Sequence, residues 1–65
     1  MDQIDVETVN GALITLTKDQ DGSYYCNGER VGTITNTPLG VILMCAERGY
    51  TISHPDYYRM IALKP

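Results

Sequence analysis

The first part of the sequence alternates apolar and polar residues on both sides of Asn10-Gly11, and this pattern constrains the fold most. Alternation with a period of two is typical of a β-strand that buries one face. An Asn-Gly pair between two such runs is a strong signal for a tight hairpin. The sequence therefore predicts two antiparallel strands within residues 4–18.

The register of this hairpin follows from keeping its apolar side chains on one face. A two-residue loop would pair Glu7 with Ile14 and place a carboxylate on the apolar side. A three-residue loop over residues 9–11 instead pairs Val6 with Ile14, so that the apolar groups of both strands share one face. We predict the three-residue loop, with Gly11 in the left-handed conformation next to a bulge.

A second Asn-Gly pair, Asn27-Gly28, joins a third strand to a fourth strand predicted at residues 30–35. The third strand follows a polar turn that ends in Asp21-Gly22. Gly32 interrupts the fourth strand, which predicts either a bulge or a close approach by another backbone segment. Together these segments predict a four-stranded antiparallel meander over residues 4–35.

The middle of the chain differs, because residues 38–48 carry apolar side chains at helical spacing. Thr37 followed by Pro38 is typical of a helix N-terminus, and Gly49 is typical of a residue that ends a helix. The sequence therefore predicts a short helix over residues 38–48. A buried strand at residues 41–45 is the alternative, because branched apolar side chains follow one another there.

The C-terminal part predicts a short strand at residues 50–53 and a turn at His54-Pro55-Asp56. A last strand is expected over residues 57–63, with a short helix beginning at Pro55 as the alternative. The fold class is therefore α+β: a small single domain over residues 1–65, with a meander of about four strands, one short helix and one or two C-terminal strands. A small all-β barrel is the alternative architecture.

Size and charge exclude several classes of function. The 65 residues carry a net charge of −3 and a pI near 4.7. Proteins that bind nucleic-acid backbones or anionic membrane surfaces normally present a basic face, so both classes are disfavoured. The longest apolar run has six residues, at positions 41–46, far fewer than a membrane span needs. With no signal-peptide pattern, a cytoplasmic location is expected, in the host cytoplasm if the protein is phage-encoded.

Few residues carry recognisable chemistry, so neither catalysis nor a cofactor is expected. Cys26, Cys45 and His54 would still lack a fourth zinc ligand, and no Cys-x-x-Cys spacing occurs, so no metal site is expected. The two cysteines are interpreted as reduced structural thiols. Ser53, His54 and Asp56 are nearly adjacent, which indicates a polar turn rather than a catalytic triad.

Charge is divided unevenly along the chain. Residues 1–29 hold six acidic residues and one lysine, a net charge of −5, whereas residues 30–65 hold four basic and two acidic residues, a net charge of +2. The acidic N-terminal part either keeps the protein dissolved and protects strand edges or contacts a basic partner. The candidate partner-binding carboxylates are Asp5, Glu7, Asp19 and Asp21.

All five aromatic residues are tyrosines, and four of them form the pairs Tyr24-Tyr25 and Tyr57-Tyr58. Without phenylalanine or tryptophan, some of the tyrosines must help to fill the core. In a strand, one ring of each pair points inward and the other outward, and Tyr25 and Tyr57 are predicted to point outward. Because tyrosine offers a large area and a polar tip, it is enriched at interfaces.

These observations predict a small acidic non-enzymatic module that binds a protein partner with a basic patch. In size and charge the chain is similar to small phage-encoded inhibitors of host defence, such as anti-CRISPR proteins, some of which occupy nucleic-acid sites with acidic surfaces. This resemblance implies steric or nucleic-acid-mimicking blockade of a basic site. One alternative is a structural or assembly subunit that forms a homo-oligomer. Another is a nucleic-acid-binding sheet that stacks bases on tyrosines, which the net charge disfavours.

Overall fold

A computed structural model describes residues 2–65, which form seven strands in two antiparallel sheets and one helix. The first four strands form sheet A and the last three form sheet B, in each case side by side in chain order. The predicted α+β class is confirmed, whereas the alternative of a closed barrel is not found among the described residues. The elements are β1 (Gln3–Glu7), β2 (Leu13–Lys18), β3 (Tyr24–Cys26), β4 (Glu29–Arg30), β5 (Thr33–Thr37), β6 (Gly40–Met44), β7 (Gly49–Ile52) and α1 (His54–Ile61).

The first hairpin has the predicted register, with Val6 opposite Ile14. The Thr8 N–H donates to the Ala12 carbonyl oxygen at 2.7 Å, which closes a three-residue loop. Gly11 has a φ of 93°, a conformation that costs a residue with a Cβ about 1 kcal/mol or more. The loop length, the register and the role of Gly11 are therefore all confirmed.

The second hairpin also forms at the predicted place, and Tyr25 lies opposite Arg30. The predicted fourth strand, however, is divided between the two sheets. Strand β4 ends at Arg30, and β5 begins at Thr33 in sheet B. Between them the Gly32 N–H donates to the Met44 carbonyl oxygen at 2.7 Å, although Met44 already lies opposite Thr33. Two residues facing one is the arrangement of a bulge, so the predicted irregularity at Gly32 is confirmed.

The predicted helix over residues 38–48 is wrong, and the alternative strand is correct. Thr37 does not cap a helix, because its Oγ1 donates to the Gly40 carbonyl oxygen at 2.8 Å across a two-residue turn. Strand β6 then alternates, with Val41 and Leu43 buried. Gly40 has a φ of 150°, and a Cβ there would lie 2.4 Å from the Ile52 carbonyl oxygen, so only glycine fits.

The predicted last strand over residues 57–63 is also wrong, because a helix beginning beside Pro55 forms instead. The Ser53 Oγ accepts a hydrogen bond from the Asp56 N–H at 3.2 Å and caps the N-terminus of α1. Pro55 in the first turn has no N–H that the helix would leave unpaired. One turn later, Arg59 bonds Asp56 at 2.9 Å, and Met60 is fully buried.

One continuous apolar core joins the inner faces of both sheets to α1. Met60 from the helix meets strand residues of sheets A and B there, and the chain closes over them with Leu63. Tyr24, Tyr50 and Tyr57 are half-buried against this core, as expected for a chain without phenylalanine or tryptophan. The buried apolar residues are Val6, Ile14, Leu16, Cys26, Val31, Val41, Leu43, Cys45, Ile52, Met60 and Leu63.

Candidate functional site

The outward side of sheet A gathers most of the candidate residues, and we call it the acidic face. Because side chains alternate along a strand, burying Val6 and Ile14 directs their neighbours Asp5 and Glu7 to the opposite side. Tyr25 reaches the same side from β3. The acidic face comprises Asp5, Glu7, Leu13, Thr15, Thr17, Asp19, Tyr25 and Arg30.

The carboxylates of Asp5 and Glu7 form the acidic end of this face. Two residues apart on one strand, they are separated by roughly 6.8 Å along β1. Asp5 accepts a hydrogen bond from the Thr15 Oγ1 at 2.7 Å, which orients its carboxylate on the sheet surface. Glu7 lies opposite Leu13, whose side chain is 73% exposed. This end therefore combines two exposed charges with an exposed apolar side chain.

Tyr25 occupies the middle of the face, between Thr17 on β2 and Arg30 on β4. Its side chain is half-buried, so its neighbours restrict the ring while part of it remains accessible. Together with Thr17, Asp19 and Gly28 it lines a shallow open pocket of about 280 Å³. The Tyr25 ring therefore offers a partly accessible aromatic surface next to the Asp19 carboxylate.

The turn between β2 and β3 holds the other two predicted carboxylates. Asp19 accepts a hydrogen bond from the Gln20 N–H at 2.7 Å, and Asp21 accepts one from the Ser23 N–H at 2.9 Å. The hydrogen bonds from Ser23, helped by the charge of Arg30, hold the pKa of the Asp21 carboxyl below its ordinary value of 3.8. Both side chains therefore support the turn, and the Asp21 charge is retained at neutral pH.

Tyr57 does not belong to the acidic face, so its predicted outward position on a strand is wrong. It lies on α1 and packs against the core, because the helix replaces the alternation expected of a strand. Tyr58 is the exposed ring of this pair, with 63% of its surface accessible. The spacing Ser53-x-x-Asp56, typical of a capped helix start, was the signal that would have placed both rings correctly.

The remaining chemistry-bearing residues have structural roles. Cys26 and Cys45 are buried free thiols, and burial raises the pKa of Cys26 to about 11 and raises the pKa of Cys45 as well. The His54 Nε2 donates to the Thr37 carbonyl oxygen at 3.0 Å and contacts the Asn36 Oδ1 at 2.9 Å. Residues 2–65 contain no group of three or more His, Cys, Asp or Glu side chains placed to hold a metal ion.

The sequence matches no known protein-family model, and comparison with curated proteins and with solved structures finds no match. Within the part of the chain that the structure describes, no helix has the length and hydropathy needed to cross a membrane.

Proposed function

We propose that this chain is a non-enzymatic protein-binding module whose acidic face contacts a basic patch on a partner protein. The observation that carries the proposal is that Asp5, Glu7, Asp19 and Tyr25 lie together on one side of sheet A. Chain segments more than ten residues apart contribute to this arrangement, so it is a surface of the folded protein.

The charges and the ring have different tasks in such a contact. Exposed carboxylates such as Asp5 and Glu7 attract a basic surface at long range, and they mainly raise the association rate and its dependence on salt. A tyrosine that is already restricted by its neighbours loses little conformational freedom on binding and contributes contact area. Tyr25, half-buried next to Asp19, is therefore the expected anchor of the bound state.

The partner surface that fits this face is a basic site of the kind that binds nucleic acid. An acidic protein docked there blocks the site sterically or occupies the position that nucleic acid would take, as some anti-CRISPR proteins do. If the protein is phage-encoded, that partner is a defence protein in the host cytoplasm. Direct nucleic-acid binding is disfavoured on this face, because its three carboxylates outnumber its one cation, Arg30, and repel phosphates.

The test begins with immobilised protein and an extract of its native host, from which the captured protein is purified and its binding kinetics are measured at low and high salt. The double variant Asp5→Asn with Glu7→Gln removes two charges from the acidic face. The control, Glu29→Gln with Glu47→Gln, removes two exposed charges that lie near one another away from it. We expect the first variant to associate roughly tenfold more slowly at low salt, and the control to associate like the wild type.

A second pair of variants tests the anchor. Tyr25→Ala should accelerate dissociation roughly fivefold or more, because truncating a tyrosine at the centre of an interface commonly costs over about 1 kcal/mol. Tyr58→Ala removes an exposed ring from α1 and should leave dissociation unchanged. Circular dichroism checks that all variants remain folded. Equal effects of the face variants and their controls, or no effect of either, would refute the proposed site.

A further inference from the structure

The two sheets expose four edge strands, and three of them are protected against pairing with another strand. Strand β1 carries the charges of Asp5 and Glu7, and β4 consists of two charged residues only. On β7 the Thr51 carbonyl oxygen accepts a hydrogen bond from the Val9 N–H at 2.9 Å, so the first hairpin covers part of that edge. Charge, shortness and coverage are the usual means of keeping an edge from pairing.

The fourth edge, β5, is five residues long and uncharged, and among residues 2–65 the hydrogen bonds of His54 cover only its Thr37 end. Four of its five residues are exposed, and its sequence, Thr-Ile-Thr-Asn-Thr, contains neither charge nor proline. Strand β6 pairs with one side of β5 only. The His54 contact occupies the Thr37 carbonyl oxygen at one end. Along Thr33–Asn36, an antiparallel ladder leaves the outward backbone groups of alternate residues available to another strand.

We propose that β5 pairs antiparallel with β5 of a second copy of this chain, so that two copies of sheet B form one continuous six-stranded sheet. A two-fold axis at Thr35 places Thr35 opposite Thr35 of the second copy and Ile34 opposite Asn36 of the second copy. The same register places Thr33 opposite Thr37. Threonine pairs across strands are favourable, and the two-fold symmetry gives every outward donor an acceptor.

The distribution of charge favours a second copy as the occupant. Two molecules with a net charge of −3 repel each other wherever their acidic regions meet. Residues 31–46, which include β5 and β6, contain no charged side chain, so this region allows two copies to approach closely. Ile34, Leu39 and Met44 also expose apolar surface there, at 40%, 84% and 38%. A basic or acidic partner strand would find no complementary charge on β5.

The register can be tested with opposite charges at the proposed axis. Thr35→Lys places two lysines opposite each other and Thr35→Glu places two glutamates, so each variant alone should be monomeric. An equimolar mixture should recover the dimer, because lysine then lies opposite glutamate. Tyr58→Lys is the control, since it adds the same charge at a side chain on α1 that is 63% exposed.

Sedimentation equilibrium measures the mass, and circular dichroism confirms that each variant is folded. We expect the wild type and Tyr58→Lys to double in mass with rising concentration, and each Thr35 variant to lose this doubling until the two are mixed. A wild type that stays monomeric up to about 1 mM, the limit of weak specific association, would overturn the proposal. Thr35 variants that dimerise like the wild type would overturn it as well.

The backbone supplies an independent readout that does not depend on a substitution. Amide hydrogen exchange within Thr33–Asn36 should slow as the wild type is concentrated, while amides of the edge strand β1 keep their rate. Doubling of the mass without protection of β5 would place the dimer contact elsewhere and refute the strand pairing. The Thr35 variants and the β5 amides lie on sheet B, outside the acidic face, so this inference and the proposed function can fail separately.

Discussion

Sheets A and B share one core but present opposite kinds of surface. Sheet A exposes carboxylates on its outward side and charges on both of its edge strands. Two of the three strands of sheet B, β5 and β6, lie within residues 31–46, which carry no charged side chain. Strand β5 is almost wholly exposed. The inner faces of both sheets are apolar and belong to one core. The two sheets therefore differ only in the surfaces that they expose to other molecules.

This comparison shows how a short chain can keep two kinds of contact apart. A charged surface attracts an oppositely charged partner at long range and repels copies of itself. An uncharged edge is selective only through hydrogen bonds and shape. The two contacts that we propose lie on different sheets, so a partner bound to the acidic face would leave the β5 edge open to another strand.

The largest effects should come from the core that the sheets share. Leu16 of sheet A and Leu43 of sheet B are both fully buried, so Leu16→Ala and Leu43→Ala should each lower the free energy of unfolding by about 3 kcal/mol. Leu13 and Leu39 are matched controls, one from each sheet region, because they are 73% and 84% exposed. Their alanine variants should change the free energy of unfolding by less than about 0.5 kcal/mol. Urea unfolding followed by circular dichroism measures all four variants.

The same experiment distinguishes one core from two. Both buried leucine variants should unfold all strands in a single transition, since one continuous cluster joins the sheets. If Leu43→Ala melted β5, β6 and β7 while nuclear magnetic resonance signals of β1 and β2 remained native, the sheets would be independent units.

A smaller difference should separate a glycine of each sheet. Gly40→Ala brings a Cβ against the backbone oxygen of Ile52 and should cost about 2 to 3 kcal/mol, because overpacking adds to the unfavourable φ. Gly22, in the turn of sheet A, has a φ of 87° and open space around it, so Gly22→Ala should cost only about 1 kcal/mol. Thermal unfolding compares the stability of the two variants. An equal loss of stability in both would mean that β6 and β7 separate easily at Gly40.

The smallest effect should be a pH dependence confined to sheet A. The pKa of Asp21 is lowered by hydrogen bonds from Ser23, so its charged form stabilises the folded state above the ordinary pKa of 3.8. That contribution is lost as the pH falls through the lower pKa of the folded state. The difference in unfolding free energy between the wild type and Asp21→Asn should therefore shrink from about pH 6 to about pH 2. A difference that grew on acidification would contradict this hydrogen-bonding role.

Sheet A was predictable because its signals are local and agree with one another. Alternation around Asn10-Gly11 allowed only one register with the apolar residues on one face, and Asn27 and Gly28 both adopt the positive φ that such a turn requires. The same alternation placed Asp5, Glu7 and Tyr25 on one side. This part of the candidate site therefore followed from the sequence.

Sheet B was not predictable to the same extent, because its signals conflict. Thr37-Pro38 and Gly49 resemble helix ends, whereas the contact that decides the matter lies between Gly40 and Ile52, which are distant in sequence. Tyr57 was misplaced for a related reason. A helix of eight residues is too short to be stable by itself, and burial of Met60 in the core stabilises it.

The position of Met60 near the end of the chain means that the core can be completed only late in synthesis. Every strand ladder joins neighbours along the chain, so each hairpin can close soon after its residues leave the ribosome. The side chain that fills the space between the two sheets belongs to α1, which follows all seven strands. Until residues 54–63 emerge, nascent chains expose the inner faces of both sheets. The interval before the helix docks is therefore the time at which a newly made chain is most prone to aggregate.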